Sequence, residues 1–337
     1  MSQFPSGEYE LIDIIRSLAG ENFNSAYEVK IGDDAAVRRC SGDERLVMTA
    51  DISVENVHFS LDYMTIEEAG YKAMVSNLSD CAAMGAVPDG AIIQLVFPKN
   101  TPDLTSKVKS LYKGFSEACS RWEFPLIGGD LSGGSVWTIA ITLLGRVDKG
   151  RRVLTRRGIK TGDRLWVSGV PGRSAAGLEA LKRWGRESFP RRYESFLNAH
   201  IRPAPGVELG LQLASLSSVH ALMDLSDGLS KDVATLSYEN GLGFLFETID
   251  LQKLTLMVEL AKELGKEWKE WFFHGGEDYE LLFAAQESFD PSSLPGSDLE
   301  FISLGRFSDK YKGLAVQCEG GRVEPLGLGS WDHVDGS

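Results

Sequence analysis

Apolar and polar residues follow two different periods along the first 144 residues of the chain. Apolar residues three and four positions apart are typical of helices, whereas short apolar runs bounded by turn residues are typical of strands. These patterns predict, in chain order, a helix over 8–19, a strand over 45–50, a helix over 66–84, a strand over 91–97, a helix over 103–122 and a strand over 136–144. Helices and strands that interleave in this way predict a mixed α/β region.

The second half of the chain shows the same alternation. The predicted elements are, in chain order, strand 164–168, helix 174–184, strand 218–223, helix 229–238, strand 243–247, helix 255–264, strand 280–285 and strand 313–318. We see no internal repeat period in the sequence. We therefore predict an α/β (α+β) fold along the whole chain.

Residues 145–162 differ in composition from the segments on either side. They hold seven Arg or Lys residues against one acid, Asp148, with several glycines and no long apolar run. We place a domain boundary here, between an N-terminal domain, 1–148, and a C-terminal domain, 149–337. Two interpretations of the basic segment stay open: a solvated linker, or the source of an arginine that reaches a phosphate.

The charge of the chain limits its partners. A formal net charge of −13 repels nucleic acids and acidic membranes at long range, so neither is an expected partner. The four cysteines are scattered and only five histidines are present, so neither a zinc site nor a disulfide framework is predicted. No apolar stretch approaches the ~20 residues that span a bilayer, and the first residues lack a signal-peptide pattern. We expect a soluble cytoplasmic protein.

Aspartate recurs beside small residues where apolar segments end. The motifs that share this pattern are IGDDAAV (31–37), MTADIS (48–53), NLSDCAAMG (77–85), IGGDLSGG (127–134) and MDLSDGLSKD (223–232), and a further acidic stretch is HGGEDYELLF (274–283). Taken singly, each aspartate could be a turn residue or a helix cap, as Asp227 could cap a helix that begins near Gly228. Asp80 is different, because it falls within an apolar predicted helix, where a lone carboxylate favours a partner; a solvent-facing acid stays open as the alternative.

The aspartate motifs taken together predict a site for hard divalent cations. Mg²⁺ takes oxygen ligands and often bridges carboxylates to substrate phosphates. The chain has no Walker-type phosphate loop and no G-x-G-x-x-G motif, so carboxylate-held Mg²⁺ is another way for it to bind a nucleotide. The first hypothesis is a Mg-dependent phosphoryl-transfer enzyme. A carboxylate-metal phosphohydrolase and a calcium-binding protein stay open, although no EF-hand loop supports the second.

The order of the motifs resembles that of one known family. IGDDAAV, TADISVENVHF, NLSDCAAMGAVP, LIGGD, LTRRGIKTGD, PGRSAAGLEAL, DLSDGLSKD and GGEDYELLF follow one another as in the thiamine-monophosphate kinases of the aminoimidazole ribonucleotide synthetase superfamily. The resemblance runs from about residue 7 to Trp331. Other superfamily members share GDD, LSD and GGD in looser form, whereas VHF, DLSDGL and GGEDYEL are more specific to the kinase.

This resemblance implies a fold and an activity. The implied fold is the two-domain aminoimidazole ribonucleotide synthetase-like fold, in which the N-terminal sheets of a homodimer pair into a barrel and a C-terminal α/β domain completes the site. The implied activity is transfer of the ATP γ-phosphoryl group to thiamine monophosphate, giving thiamine diphosphate and ADP, with several Mg²⁺ ions bound. Because a phosphate monoester is mostly ionised at pH 7, no general base is needed, and we expect direct in-line transfer without a phospho-enzyme.

The resemblance also implies roles for individual residues. The implied metal ligands are Asp34, Thr49, Ala50, Asp51, Asp80, Asp130, Asp224 and Asp227. The implied ATP contacts are Gly129, Asp130, Arg156 and Ser226, and the implied substrate contacts are His58, Glu277 and Trp331. The implied catalytic residues are Asp130, Arg156 and Asp227. Ala50 stands where the family commonly has Ser or Thr, so its only available ligand is the backbone carbonyl.

Two other functions stay open: another ATP-dependent enzyme of the same superfamily, and a non-catalytic regulator that binds Mg-nucleotide. A selenophosphate synthetase-like enzyme would need a reactive cysteine near the N-terminus, whereas the first cysteine here is Cys40. Taken alone, His58 is more often a packed or surface histidine, and Trp331 more often an anchor onto the core. Asp232, one turn into a predicted helix and beside Lys231, is expected to be an ordinary exposed acid.

Overall fold

The computed structural model describes residues 26–248, 250–295, 300–318 and 322–327, together with residues 12, 14 and 15. The three separate residues are helical and belong to the predicted N-terminal helix. The other residues of that helix, and Trp331, lie outside the described residues. The described strands form two sheets, of six and seven strands.

The first sheet is built from the first half of the chain. Its strands are β1 (Tyr27–Val29), β2 (Ala36–Arg39), β3 (Arg45–Val54), β4 (Val87–Pro98), β5 (Leu126–Gly134) and β6 (Thr138–Val147). They lie in the order β1-β2-β3-β6-β4-β5. Two helices, α1 (Ile66–Ala83) and α2 (Leu104–Arg121), connect β3 to β4 and β4 to β5. The β4–β5 pair is parallel, as a connection through a helix allows, and the other pairs are antiparallel.

The second sheet is built from the second half. Its strands are β7 (Arg164–Ser168), β8 (Val219–Leu225), β9 (Gly243–Phe246), β10 (Glu280–Ala285), β11 (Phe301–Ser308), β12 (Leu314–Gln317) and β13 (Val323–Pro325). They lie in the order β13-β12-β9-β11-β7-β10-β8. The helices of this half are α3 (Arg173–Trp184), α4 (Glu194–Ile201), α5 (Val207–Ala214), α6 (Leu229–Asn240), α7 (Thr255–Leu264) and α8 (Trp268–His274). The α/β prediction is confirmed.

Helix α1 lies between the two halves. Of its 18 residues 15 are buried, because it packs on β3 and β6, against α2, and against β8, β10 and α5 of the second half. A helix that is enclosed on all sides needs apolar residues around its whole circumference. Helix α1 is accordingly rich in Ala, Met, Leu and Val. A capping box between Thr65 and Glu68 fixes its first turn. Polar residues on α1 therefore contact both halves of the molecule.

Some elements differ from the predicted ones for identifiable reasons. Strand β5 holds four glycines and few apolar residues, so it lacks the sequence pattern of a strand and is held by backbone pairing with β4. Helices α4, α5 and α8 have only seven or eight residues, which is too short for a clear helical period. Strand β6 extends to Val147, inside the basic segment. Among the described residues, no helix combines the length and apolar character needed to cross a bilayer.

The close crossing of α1 and α5 gives a test of how tightly the two halves pack. An ideal Cβ added to Gly210 would lie 2.1 Å from the carbonyl oxygen of Ala82, so any side chain here must push the helices apart. We expect Gly210→Ala to lower the free energy of unfolding by about 1–3 kcal/mol, measured by urea denaturation. Gly327→Ala is the control, because no atom lies within 4 Å of the added Cβ. Equal stability of the two variants would show that this crossing tolerates a methyl group.

Candidate active site

Three carboxylates meet where the two halves of the chain touch. One oxygen each from Asp34, Asp80 and Asp224 lies within 4.8 Å of the other two. Asp34 follows β1 in a turn, Asp80 is in the last turn of α1, and Asp224 lies near the end of β8. Sequence reasoning placed all three in one metal site, and the tertiary structure brings them together from positions up to 190 residues apart.

The three carboxylates lie close together in a buried environment, where their negative charges repel one another. Burial raises the pKa of Asp80 well above its usual value, and neighbouring carboxylates, Asp51 foremost, raise it further. Burial also raises the pKa of Asp224 well above its usual value, with the charge of Asp34 adding to the effect. Anionic oxygens this close together need protons or a cation between them.

The donor set of the cluster fits a hard divalent cation. All three groups offer oxygen ligands, which Mg²⁺ prefers. In addition, Asp34 Oδ2 is buried and has no hydrogen-bond partner among the described residues. A buried carboxylate oxygen without a donor is costly unless a cation completes it.

Strand β3 brings two further oxygen-bearing side chains to the cluster. Thr49 donates a hydrogen bond from Oγ1 to Asp80 Oδ2. The backbone N–H of Asp51 donates to Oδ1 of Asn77, at 3.2 Å, and burial raises the pKa of the Asp51 carboxyl. Ala50, between them, is exposed, and strand alternation directs its side chain to the opposite face of the sheet. Its backbone carbonyl is therefore the ligand that it can offer.

Arg156 of the basic segment brings a positive charge to the cluster. Its Nε donates to Asp34 Oδ1 at 2.9 Å, and Nη2 donates to the same oxygen. Its backbone N–H lies 3.3–3.4 Å from the two carboxylate oxygens of Asp33. Burial and the charge of Asp34 raise the pKa of Asp33 to about 7, although Arg156 opposes the shift. This part of the basic segment is therefore folded against the aspartates and is not a solvated linker.

The DLSDGLSKD segment divides differently from the sequence expectation. Asp224 joins the cluster, and Asp227 follows on the loop before α6 with its Oδ2 2.9 Å from Nζ of buried Lys231. The expectation that Asp232 is an exposed acid is wrong, because its side chain is buried, with 1% of the residue exposed. Its Oδ2 accepts the backbone N–H groups of Ser226 and Asp227, at 3.2 Å each. The first turn of α6 directs this carboxylate back beneath the loop, which it holds in shape.

Asp130 and Gly129 lie apart from the cluster in the chain as described. In the first sheet, Asp130 is in register with Gln94, then Ala140, then Ile52. This row is three strand spacings wide, or about 14 Å. It occupies the face that is open in this chain, whereas Asp51 lies in the adjacent row with buried Ile141 and therefore on the covered face. One chain alone does not place the Asp130 side chain among the other predicted metal ligands.

A cavity of about 440 Å³ adjoins the cluster. Its walls include His58 and Glu277, two of the residues implied to contact the substrate, and Ser226 and Asp227 from the loop before α6. His58 is fixed locally, since its Nδ1 accepts the backbone N–H of Val54 at 3.1 Å. The volume suits a ligand of small-molecule size, with its charged end towards the aspartates.

The GGEDYE segment takes its shape from a buried helix cap. Asp278 accepts the backbone N–H groups of Gly172 and Ser174 at the start of α3. Burial raises its pKa to about 7, although these two hydrogen bonds oppose the shift. Its neighbours Glu277 and Tyr279 both have positive φ angles, of 63° and 53°, which non-glycine residues seldom adopt. The hydrogen bonds of Asp278 therefore fix the strained segment 277–279, in which Glu277 faces the cavity.

Sequence reasoning missed several polar residues at this site. Lys72, Lys231 and His200 are all buried there, and Lys182 and Tyr63 line the cavity. For Lys72 a signal was available, since a lysine in the apolar run of α1 is as anomalous as Asp80. The others lie in segments of ordinary polarity, where only the tertiary structure shows that they converge.

Comparison with known proteins identifies the family and agrees with the fold. The model of the AIR synthase related protein N-terminal domain matches residues 32–147. Thiamine-monophosphate kinase of Corynebacterium glutamicum is 34% identical over 82% of this chain and 81% of its own, and that of Aquifex aeolicus is 33% identical over 97% and 98%. This chain belongs to the thiamine-monophosphate kinase family. The solved structure of AaThiL complexed with AMPPCP and TMP superposes with a TM-score of 0.82, at 28% identity over 97% of both chains.

Removal of one carboxylate should relieve the repulsion in the metal-free kinase. The raised pKa values mean that the folded chain keeps protons that the unfolded chain loses above about pH 4, so stability without metal falls as pH rises. We expect Asp80→Asn to raise the free energy of unfolding at pH 8 in EDTA by about 1–2 kcal/mol, with a smaller gain at pH 6. We also expect Mg²⁺ to stabilise this variant less than the wild type, measured by thermal unfolding.

The matched control for this variant is Asp309→Asn, at an exposed aspartate of the second half. It should leave both the stability in EDTA and the stabilisation by Mg²⁺ unchanged. If Asp80→Asn instead lowered the stability in EDTA and kept the full response to Mg²⁺, the cluster would not be a cation site.

Proposed function

We propose that this chain is a thiamine-monophosphate kinase, which transfers the γ-phosphoryl group of ATP to thiamine monophosphate and releases thiamine diphosphate and ADP. The observation that carries the proposal is the junction of a carboxylate cluster suited to Mg²⁺ with a cavity whose walls include His58 and Glu277. The cluster gives the two phosphate chains a place to meet, and the cavity gives the organic end of the acceptor a place to lie. Membership of the family, and its likeness to AaThiL complexed with AMPPCP and TMP, support the same activity.

The metal ions would be held by residues from both halves of the chain. We assign Asp34, Asp51, Asp80 and Asp224 as carboxylate ligands, with Thr49 Oγ1 beside them, and Asp227 at the mouth of the cavity. Mg²⁺ bound there supplies positive charge that offsets the repulsion between the phosphates of the two substrates. The chain carries a net charge of −13, so this offset has to be local.

Arg156 is suited to bind a phosphate of the nucleotide. Its guanidinium is bound to Asp34, a carboxylate that we assign to the metal. Cations at the aspartates would take over that carboxylate and leave the guanidinium to bind a phosphate oxygen bidentately. Ser226 lies on the loop that lines the cavity and offers a hydroxyl to the same phosphates.

The reaction needs positioning and charge stabilisation more than proton transfer. A phosphate monoester has a second pKa near 6 and is mostly a dianion at pH 7, so it attacks without a general base. In-line transfer then depends on how the side chains hold the two phosphates. We propose direct transfer, with no phosphorylated residue as an intermediate.

The activity is tested by incubating the protein with Mg-ATP and thiamine monophosphate and separating the products by chromatography. We expect thiamine diphosphate and ADP in equal amounts, with no diphosphate from free thiamine, and no ³²P on the protein after brief incubation with labelled ATP. Asp34→Asn should lower kcat by at least about 100-fold, because it removes a charge that holds the metal. Mg-ATP binding without any thiamine diphosphate would identify the chain as a nucleotide-binding regulator instead.

We further propose a homodimer in which each site takes Asp130 from the partner subunit. Within one chain the open face of the first sheet exposes Ile52 and Ile127, and Leu131 is exposed on its edge strand; pairing would cover these apolar side chains. Asp130 lies on the edge strand of that sheet, away from its own cluster. A second copy facing this surface would present its Asp130 to the first, which reconciles the residue's implied role with its position. We expect this dimer in the cytoplasm.

The dimer is tested by complementation between two inactive variants. Asp80→Asn and Asp130→Ala chains, carried on different affinity tags and purified as the mixed dimer, contain one site with both defects and one with neither. We expect the mixed dimer to regain about half of the wild-type activity, whereas each variant alone stays inactive. An inactive mixed dimer would place Asp130 in the site of its own chain.

A further inference from the structure

A buried lysine joins two walls of the substrate cavity. Lys72, on α1, is only 4% exposed. Its Nζ lies 3.0 Å from Oε2 of Glu277 and 3.3 Å from the backbone carbonyl oxygen of His58. Glu277 belongs to the second half of the chain and His58 to the loop after β3, so one side chain fixes parts of the cavity that are 219 residues apart in sequence.

The ion pair is costly to build and costly to break. Placing a lysine in an apolar helix is unfavourable unless its charge is paired and its hydrogen bonds are made. Here Nζ has a carboxylate and a carbonyl within reach. Removing the ammonium would leave the Glu277 carboxylate, which is 28% exposed, without its charge partner. The packing of the two halves alone does not require a lysine at this position.

A second basic side chain nearby does not substitute for Lys72. His200 Nδ1 lies 3.9 Å from the same Glu277 oxygen and 3.0 Å from Ser174 Oγ. Burial, with the charges of Lys72 and Lys182 adding to it, holds the pKa of His200 well below its usual value. The imidazole is therefore neutral at pH 7, and the charge that holds Glu277 comes from Lys72.

The pairing leaves one oxygen of Glu277 for a ligand. Lys72 and His200 both approach Oε2, and Oε1 has no hydrogen-bond partner among the described residues. A carboxylate accepts hydrogen bonds and donates none, so it selects a ligand group that carries an N–H or O–H. Thiamine monophosphate carries such a group, the amino substituent of its pyrimidine ring, at the end remote from the phosphate.

Helix α1 also sets the distance between the two ends of the site. Lys72 and Asp80 are eight residues apart on this helix, a rise of about 12 Å. Asp80 belongs to the cluster that we assign to the phosphates, and Lys72 holds the wall at the other end. Both are fixed to one buried rigid element, so the span between them does not depend on loop positions.

We propose that Lys72 is a positioning residue for substrate selection: it holds Glu277 Oε2 and the His58 carbonyl so that Glu277 Oε1 accepts a hydrogen bond from the aminopyrimidine of thiamine monophosphate. This inference rests on the proposed function. It adds the substrate group that is recognised, the aminopyrimidine, and the residue that positions Glu277 for it, Lys72.

The test compares Lys72→Met with Lys72→Arg and a control, Lys113→Met, at an exposed lysine of α2. Steady-state kinetics are measured with each substrate varied in turn. We expect Lys72→Met to raise the KM for thiamine monophosphate roughly 10- to 100-fold and to leave the KM for ATP within about twofold. Lys72→Arg should recover part of the loss, and Lys113→Met should match the wild type. Calorimetry with AMPPCP checks that the variant binds nucleotide normally.

A substrate analogue separates recognition from structure. Oxythiamine monophosphate has an oxo group in place of the pyrimidine amino group, so it lacks the donor for Glu277 Oε1. We expect the wild type to favour thiamine monophosphate in kcat/KM, and Lys72→Met and Glu277→Gln each to lose most of this preference. The double variant should lose no more than either single one, because both act through one hydrogen bond.

Two results would overturn the inference while the kinase activity stands. One is an unchanged KM for thiamine monophosphate in a folded Lys72→Met variant. The other is a rise of both KM values with the preference over oxythiamine monophosphate intact, which is the pattern of a purely structural role. If Lys72→Met does not fold, Lys72→Gln is read by the same criteria. A wild-type protein that makes no thiamine diphosphate would instead reject the proposed function.

Discussion

The repulsion among buried carboxylates is the constraint on which the rest of this structure depends. Asp34, Asp80 and Asp224 converge from a turn, a helix and a strand, and each is held there by elements that pack for other reasons. The chain meets the cost in part with its own groups, since Arg156 binds Asp34 and Thr49 donates to Asp80. The repulsion that remains among the carboxylates would be lowered by bound cations. Such cations would also allow an acidic protein to bind two phosphate-bearing substrates.

Helix α1 transmits this constraint to both halves of the molecule. Because it is buried almost throughout, its polar residues cannot turn to solvent and must find partners across the interface. Asp80 finds the aspartates of the other segments, and Lys72 finds Glu277. In the function that we propose, the same helix carries one residue for the phosphate end of the site and one for the organic end. A shift of α1 would disturb both ends together, so the close contacts around it, such as that at Gly210, serve the site as well as the fold.

Buried acids also shape the loops beside the cluster without taking a place in it. Asp232 accepts hydrogen bonds from the backbone N–H groups of Ser226 and Asp227. Asp278 accepts them from those of Gly172 and Ser174. Each carboxylate replaces solvent for backbone donors that would otherwise be unsatisfied at a helix start or a tight turn. In the DLSDGLSKD and GGEDYE segments, therefore, some acids face the cluster or the cavity, and others hold the loop that carries them.

The sequence by itself determined most helices and strands and the family, and it predicted a group of aspartates of which Asp34, Asp80 and Asp224 do meet, because periodicity, glycine-flanked turns and a carboxylate inside an apolar helix are local signals. It did not determine how acids within one motif divide their roles. Asp232 is buried and not exposed, since the direction of a side chain in the first turn of α6 depends on what packs beneath it. It also placed Asp130 with the other ligands, whereas strand register sets this residue on the open face of its own sheet. Lys72 acquires its carboxylate partner, Glu277, only when residues 205 positions apart meet. Contacts of that kind are decided by tertiary packing, because no local sequence pattern encodes which distant segment packs against a given residue.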